Sequence, residues 1–356
     1  MISTAPGIDI QRVERSRLQA TDLANLKFGR VFTDHMFVMD YTDGAWQRPR
    51  IMPYADLELS PATLVLHYAQ TIFEGMKAYR NGDGGVSLFR PQANIARMNR
   101  SAKRMCMPHI PEDLFLQGLK ELARLDANWL PDGPDAALYI RPFMYASDEY
   151  IGVKPSGDYR FMILMCPVRG YYQEPLRVYL EMKYSRAFPG GTGEVKCGGN
   201  YAAGLYPTKL RQDQGYHQQV WTDAMEHKYI EESGTMNVFF IINGVLTTPS
   251  LDGTILPGIT RDSILTLARE RGLPVEERKV SVEEVVAGLH NGKVTAAFGA
   301  GTAATIAPIK VIGHDGTDHE LPDLGADSEV NLIGKMLDDI RRGRVEDKHG
   351  WVVRVA

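Results

Sequence analysis

The sequence predicts a mixed α/β (α+β) protein of two domains, and three observations carry that reading. At 356 residues the chain exceeds what one small core holds and fits two domains of ordinary size. Apolar runs of strand length alternate with capped helical patterns along its whole length. No solenoid-length repeat or low-complexity tract interrupts the alternation.

The elements follow in order. "GVSLFRPQANIARMNRSAKRMCMP" predicts a strand ending at Arg90, a proline turn, and a helix with Ile95, Met98, Ala102 and Met105 on one face. "PEDLFLQGLKELARL" is a second helix, with Pro111 and two acids in its first turn and Phe115, Leu119 and Leu122 along its buried side. "ALYIRPFMYA" and "YRFMILMCPV" read as strands, and the turn-rich "RGYYQEP" after them marks a boundary. We therefore place a small N-terminal α/β domain at 1–168, an interdomain loop at 169–176 and a larger C-terminal domain at 177–356.

In the second half, strands at "RVYLEMKY", "QQVWTD" and "TMNVFFIING" alternate with helices at "TRDSILTLARERG" and "SVEEVVAGLHNG". The last of these carries a capping box, Ser281 with Glu284, and a stop at Gly292. "SEVNLIGKMLDDIRRG" is the closing helix, with Ile333, Leu337 and Ile340 at helical spacing.

Composition narrows the function classes. A net charge of -4 gives no broad attraction to nucleic acid or to an anionic membrane. The three cysteines, Cys106, Cys166 and Cys197, form neither a C-x-x-C pair nor a zinc cluster, which fits a reducing cytosol. The longest apolar runs fall below the roughly 18 residues of a membrane span, and the N-terminus, with Asp9 and Glu14 early, lacks a signal core. Cytoplasmic residence is the expectation.

Several segments can carry chemistry. Gly299, Gly301 and Ala304 in "KVTAAFGAGTAAT" fit a dinucleotide fingerprint, but "TIAPIKVIG" follows as a second strand where that motif needs a helix. The same turn can instead close backbone N–H groups and the Thr302 hydroxyl on an anion. In "LPGITRDSILTLA" Thr260 can cap a helix whose first N–H groups point at a second anion site. Arg90, before Pro91, offers a planar fork for a phosphate. Glu231 and Glu232 are adjacent on a strand, so one of them turns inward, where it can hold a cationic ring nitrogen protonated.

Lys196, in "EVKCGGNYAAG", can form an imine with a carbonyl cofactor and then serve as a base. That role requires bringing an amine from about 10.4 to about 7, which burial or a nearby cation can do. Gly198 and Gly199 would let the backbone pass close to a flat ligand. Each feature alone has an ordinary reading: a tight turn, a capped helix, a surface arginine, solvated glutamates, a surface lysine.

Together these residues supply what pyridoxal phosphate needs, an imine partner, a ring-nitrogen partner and a phosphate cup. The segments "HYAQTIFEGMKAYR", "FRPQANIARMNRSAKRM", "LYIRPFMYAS", "CPVRGYY", "KCGGNYAAG", "EESGTMNVFF", "LPGITRDSIL" and "FGAGTAATIAP" resemble, in order, the branched-chain aminotransferases of the class IV, fold type IV pyridoxal phosphate enzymes. The resemblance implies a pseudo-barrel with flanking helices in the C-terminal domain. It implies Lys196 as the imine lysine, Tyr201 on the cofactor's phenolic oxygen, and Glu232 rather than Glu231 at the ring nitrogen. Arg90, the backbone of Ile259 and Thr260, and Thr302 would hold the phosphate.

On the substrate side it implies Tyr68, Phe73 and Tyr171 as walls of an apolar pocket. Tyr139 and Arg141 would line it, and the N–H groups of Thr302 and Ala303 would bind the α-carboxylate. The implied reaction is ping-pong transamination of leucine, isoleucine and valine with 2-oxoglutarate by a homodimer. Vertebrate members carry a C-x-x-C pair where this chain has Ala304 and Ala307, so that thiol switch is not expected. D-amino-acid transaminases, (R)-selective amine transaminases and aminodeoxychorismate lyases share the lysine and glutamate and stand as alternatives. A non-catalytic binding protein of the same fold is the alternative from another class.

Overall fold

Two ten-residue strands organise the first half of the chain. Ala137–Ala146 and Tyr159–Val168 pair antiparallel over their full length, from Ala137 opposite Val168 to Ala146 opposite Tyr159. In the computed structural model, which describes residues 7–170 and 174–355, they are the centre of a ten-stranded sheet. The path from one edge runs Asp9–Ile10, Arg50–Pro53, His35–Thr42, Tyr159–Val168, Ala137–Ala146, Met76–Arg80, Val86–Phe89 and Val352–Arg354. The short strand Thr71–Phe73 pairs separately with Ala137–Ala146. Both helices predicted for this half form, Pro91–Arg104 and Glu112–Leu125. Their apolar faces are buried through Ile95, Met98 and Ala102 on the first and Phe115, Leu119 and Leu122 on the second. Phe115 of the second helix meets the sheet at Phe161.

The second half builds a closed ring. Ile230–Ser233, Gln218–Thr222, Leu176–Leu180, Thr305–His314, Val294–Gly301 and Met236–Ile242 pair in sequence, and Met236–Ile242 pairs back onto Ile230–Ser233. Closure leaves no unpaired edge between these six strands, which is how an all-round hydrogen-bonded barrel avoids exposed backbone. Val178, Leu180, Val220, Val238, Phe240 and Ile309 are among the residues of its buried core. Val294–Gly301 and Thr305–His314 form a hairpin, as expected from Pro308 and the second apolar run, so the glycine segment opens no helix.

Two helix starts differ in detail from the sequence reading. Ser281 accepts from the Glu284 N–H at 3.0 Å, but the Glu284 carboxylate turns to Arg278 rather than back to the cap. Helix Ile259–Glu270 begins at Gly258, which is its N-cap and has no side chain, so Thr260 lies inside the helix instead of capping it.

The chain divides into two compact units, residues 1–171, 196–198 and 339–356 in the first and 172–195 and 199–338 in the second. The sequence reading placed Lys196 and the C-terminal residues in the second domain and made that domain the larger. Lys196 groups with the first unit because its carbonyl bonds the Phe73 N–H, and the C-terminus does so because Val352–Arg354 pairs with Val86–Phe89. The first unit is thereby the longer. Residues 171–173 of the expected loop, Tyr171 included, lie outside the described residues.

Candidate active site

In the first unit the chemistry gathers around one ring. Lys196 donates its backbone N–H to Ser101 Oγ at 3.1 Å and accepts the Phe73 N–H on its carbonyl at 3.0 Å. Next to it, Cys197 bridges Ile72 in antiparallel register, so the lysine continues the edge of Thr71–Phe73. Its Nζ lies 4.8 Å from the Phe73 ring centroid, and the Arg141 guanidinium lies 4.7 Å from the same centroid. Both side chains thus lie within cation–π range of the same ring. Arg141 also donates to Tyr139 Oη at 2.9 Å, while its buried Nε has no hydrogen-bond partner among the described residues. Tyr139 is 7% exposed, and its hydroxyl sits where a Cβ on Gly75 would come within 2.4 Å, so only glycine fits there.

Arg90 precedes Pro91 at the start of helix Pro91–Arg104 in a left-handed conformation, φ 51°. A non-glycine residue held there is strained and is kept by its surroundings. Here the Arg90 N–H donates to the Trp351 carbonyl at 2.7 Å, and the guanidinium lies over the Trp351 ring at 4.9 Å.

In the second unit, Glu232 and Asn237 are cross-strand partners in the hairpin that closes the ring. They share a face and clamp one peptide. Glu232 Oε1 accepts the Leu256 N–H at 2.7 Å, and Asn237 Nδ2 donates to the Leu256 carbonyl at 2.9 Å. Arg186 reaches the same carboxylate oxygen at 3.3 Å. Two residues on, Gly258 lies so near Asn237 that a Cβ would meet its Oδ1 at 1.9 Å. The first N–H groups of helix Ile259–Glu270 follow directly, a ready anion site once no side chain crowds it.

Glu231, on the other face of the strand, is also buried, and its Oε2 has no hydrogen-bond partner among the described residues. Burial pushes its carboxyl above the ordinary value, against the pull of Thr254 and Arg186. Solvated glutamates at a strand end therefore do not describe this pair.

Comparison with known proteins decides the family. The model of the amino-transferase class IV family matches residues 71–312. The chain belongs to the class IV aminotransferases. A branched-chain-amino-acid aminotransferase of Bacillus subtilis is 45% identical over 345 residues, covering 94% of this chain and 93% of that protein. One from Mycolicibacterium smegmatis is 43% identical over 343 residues, with 94% and 93% covered. Among solved structures, the branched-chain aminotransferase of Thermoproteus uzoniensis with norvaline superposes with a TM-score of 0.74 at 26% identity, covering 90% of this chain and all of that one. The fold is thus the type IV fold, and the chain is an aminotransferase dependent on pyridoxal 5′-phosphate.

The donor sets suit that cofactor. A half-buried lysine fixed at both backbone ends, a buried carboxylate bonded to backbone and arginine, and a glycine-led helix start are the groups an aldehyde, a pyridine nitrogen and a phosphate require. Thr302 and Ala303 lie in the turn between Val294–Gly301 and Thr305–His314, half-buried. Thr305, at the end of that turn, has φ 68°, a strained value for a β-branched residue and a sign that the turn is tightly specified.

Tyr201 lies on the short helix Gly198–Ala203 and is half-buried. The two glycines start that helix. A Cβ on Gly198 would meet Thr71 at 2.8 Å and one on Gly199 would meet nothing, so the close approach at Gly198 is to the protein's own chain. Tyr68 is 41% exposed at the end of the one-turn helix Val65–Tyr68.

Sequence reasoning missed Arg186 and Asn237, and also Glu74 and Arg97, a buried ion pair at 2.8 Å next to Phe73. The signal for two of them was present: Arg97 stands next in sequence to Met98 of the buried face, and Glu74 interrupts the run around Phe73. A charge in such a place needs a partner.

Proposed function

We propose that the chain exchanges the amino group of L-leucine, L-isoleucine or L-valine with 2-oxoglutarate, giving branched 2-oxo acids and L-glutamate reversibly. The observation that carries this reading is the amine of Lys196, held at both backbone ends with its Nζ against Phe73. Lys196 would hold the cofactor through its amine, and that amine would serve as the base at the substrate α-carbon. Pyridoxal phosphate, when bound, supplies the conjugated ring that takes up the electron pair left on that carbon. Glu232 keeps the ring nitrogen protonated, since a fixed carboxylate favours the charged form of a base beside it. Tyr201 bonds the phenolic oxygen. The Arg90 guanidinium, the N–H groups of Ile259 and Thr260, and Thr302 would hold the phosphate and fix the ring's place.

Phe73 walls the apolar pocket with Tyr68 and Tyr171, Tyr139 and Arg141 line it, and the N–H groups of Thr302 and Ala303 receive the α-carboxylate. Arg141 takes the second carboxylate of 2-oxoglutarate, a role its buried, unpartnered Nε supports. The protein works as a homodimer. Leu66, Tyr150, Ile151 and Val153 of the first unit, 47% to 88% exposed, supply apolar surface for a second copy. It acts in the cytoplasm, in keeping with three free thiols at Cys106, Cys166 and Cys197.

The test is an assay of L-leucine against D-alanine, each with 2-oxoglutarate, together with the visible spectrum before and after L-leucine. Activity and a spectral shift with L-leucine support the reading. Turnover of D-alanine alone would move the chain to the D-amino-acid transaminases.

A further inference from the structure

We propose that helix Pro91–Arg104 positions Lys196 through a buried polar face, Asn94, Arg97 and Ser101, with Glu74 as the intermediary. The inference rests on Lys196 being the cofactor's lysine and goes beyond it. Positions 94, 97 and 101 lie at i, i+3 and i+7, on one side of the helix. All three are buried, at 2%, 4% and 2% exposure.

Each makes a specific bond. Arg97 Nε donates to Glu74 Oε1 and its terminal nitrogen to Oε2, both at 2.8 Å, a two-pronged grip. Asn94 Nδ2 donates to Glu74 Oε2 at 2.8 Å and to the Gly75 carbonyl at 3.3 Å. Ser101 Oγ accepts the Lys196 N–H. Glu74 itself is fully buried, and its N–H donates to the Pro142 carbonyl at 2.7 Å.

Glu74 follows Phe73, whose N–H holds the Lys196 carbonyl and whose ring faces the Lys196 amine. The helix therefore fixes Lys196 from two sides. Ser101 takes its N–H directly, and the Glu74 grip fixes the strand that takes its carbonyl. Burial would push the Glu74 carboxyl up, but Arg97 beside it, and Lys196 beyond, hold it below its ordinary value, so it stays an ionised anchor.

Stability alone does not account for such a pair, because a buried ion pair can often be replaced by apolar residues without loss. What it supplies is a fixed geometry, and placing a reacting group within an ångström can be worth a hundredfold in rate.

The test measures how fast pyridoxal phosphate attaches to Lys196 in the full-length apoprotein, trapped with borohydride at timed intervals and mapped by peptide mass. Thermal midpoints are recorded in parallel. Ser101→Ala and Glu74→Gln are expected to attach about tenfold more slowly. Ser101→Thr, which keeps the acceptor oxygen, is expected within about twofold of the parent. Met98→Ala, a buried apolar position on the same helix, controls for lost stability. It should lower the midpoint while leaving attachment near the parent rate. Parent rates in Ser101→Ala and Glu74→Gln would overturn the proposal, as would a Met98→Ala variant slowed as much as they are. A parent adduct that maps away from Lys196 would instead remove the cofactor reading itself, and this proposal with it.

Discussion

Replacing Gly258 with alanine tests whether the peptide clamp around Leu256 is as tight as the structure makes it. The new Cβ would lie 1.9 Å from Asn237 Oδ1, 3.1 Å from its Cγ and 3.2 Å from Arg261 Cβ. Ordinary contact is about 3.5 Å, so Asn237 must move by more than an ångström. It is 5% exposed and has little room. Overpacking of this kind costs about 1 to 3 kcal/mol. Moving Asn237 also breaks its bond to the Leu256 carbonyl, a further 0.5 to 1.5 kcal/mol or so. We expect a total of about 1.5 to 4.5 kcal/mol, read from urea unfolding with an unchanged slope.

The affinity for pyridoxal phosphate should fall about tenfold as well, because the displaced segment leads into the helix start. Asn237→Ala in the same background removes the clash, so the double variant should be less destabilised than the sum of the two by about 1 kcal/mol or more. A Gly258→Ala protein within about 0.5 kcal/mol of the parent, or strict additivity of the two changes, would refute the reasoning.

Other outcomes follow from the same geometry. Lys196→Ala should lower turnover about a thousandfold or more and leave no borohydride-stable label, whereas near-parent activity would remove Lys196 from the chemistry. Glu232→Gln should bind cofactor yet react roughly a hundredfold more slowly, while Glu231→Gln stays within a few-fold; the reverse order would put the wrong face of the strand at the ring. Glu231 has its carboxyl raised by burial, so its contribution to stability is full below the unfolded value of 4.5 and is lost as pH rises through the higher folded value. Glu231→Gln should therefore gain on the parent in urea midpoint between pH 4 and 7, and a parallel pair of pH curves would contradict that. Arg141→Met should raise the KM for 2-oxoglutarate at least about tenfold while kcat/KM for leucine changes little, and equal losses on both would assign Arg141 a structural part only.

Much of the fold was legible because local physics decided it. The helix at 91–104 carries helical periodicity and the strands at 137–146 and 159–168 are predominantly apolar runs, and proline and turn residues flank them. The refusal of the glycine segment to be a dinucleotide motif was legible from Pro308 and the second strand-like run that follows the segment. Ring closure was not: the hairpin of Ile230–Ser233 with Met236–Ile242 is local, but the ring also needs Leu176–Leu180 beside Thr305–His314 and Met236–Ile242 beside Val294–Gly301, strands far apart in sequence. The side of the chain on which Lys196 lies depends on two hydrogen bonds to residues far away in sequence, Ser101 and Phe73, and no local pattern encodes those. Gly258 took the cap expected of Thr260 because the approach of Asn237 leaves no space for a side chain.

The hairpin that carries Glu232 is also the seam of the ring. Only two residue pairs, Glu232 with Asn237 and Ser233 with Met236, join the last strand to the first. Glu232 therefore sits in the pairing that closes the barrel, whereas Phe73, Tyr139 and Arg141 belong to a separate sheet. Diversification of such a protein is channelled by this arrangement. On the roles proposed for these residues, new substrates would be accessible by small steps in the first unit, while a new electronic role for the cofactor ring would touch the barrel's closing hairpin.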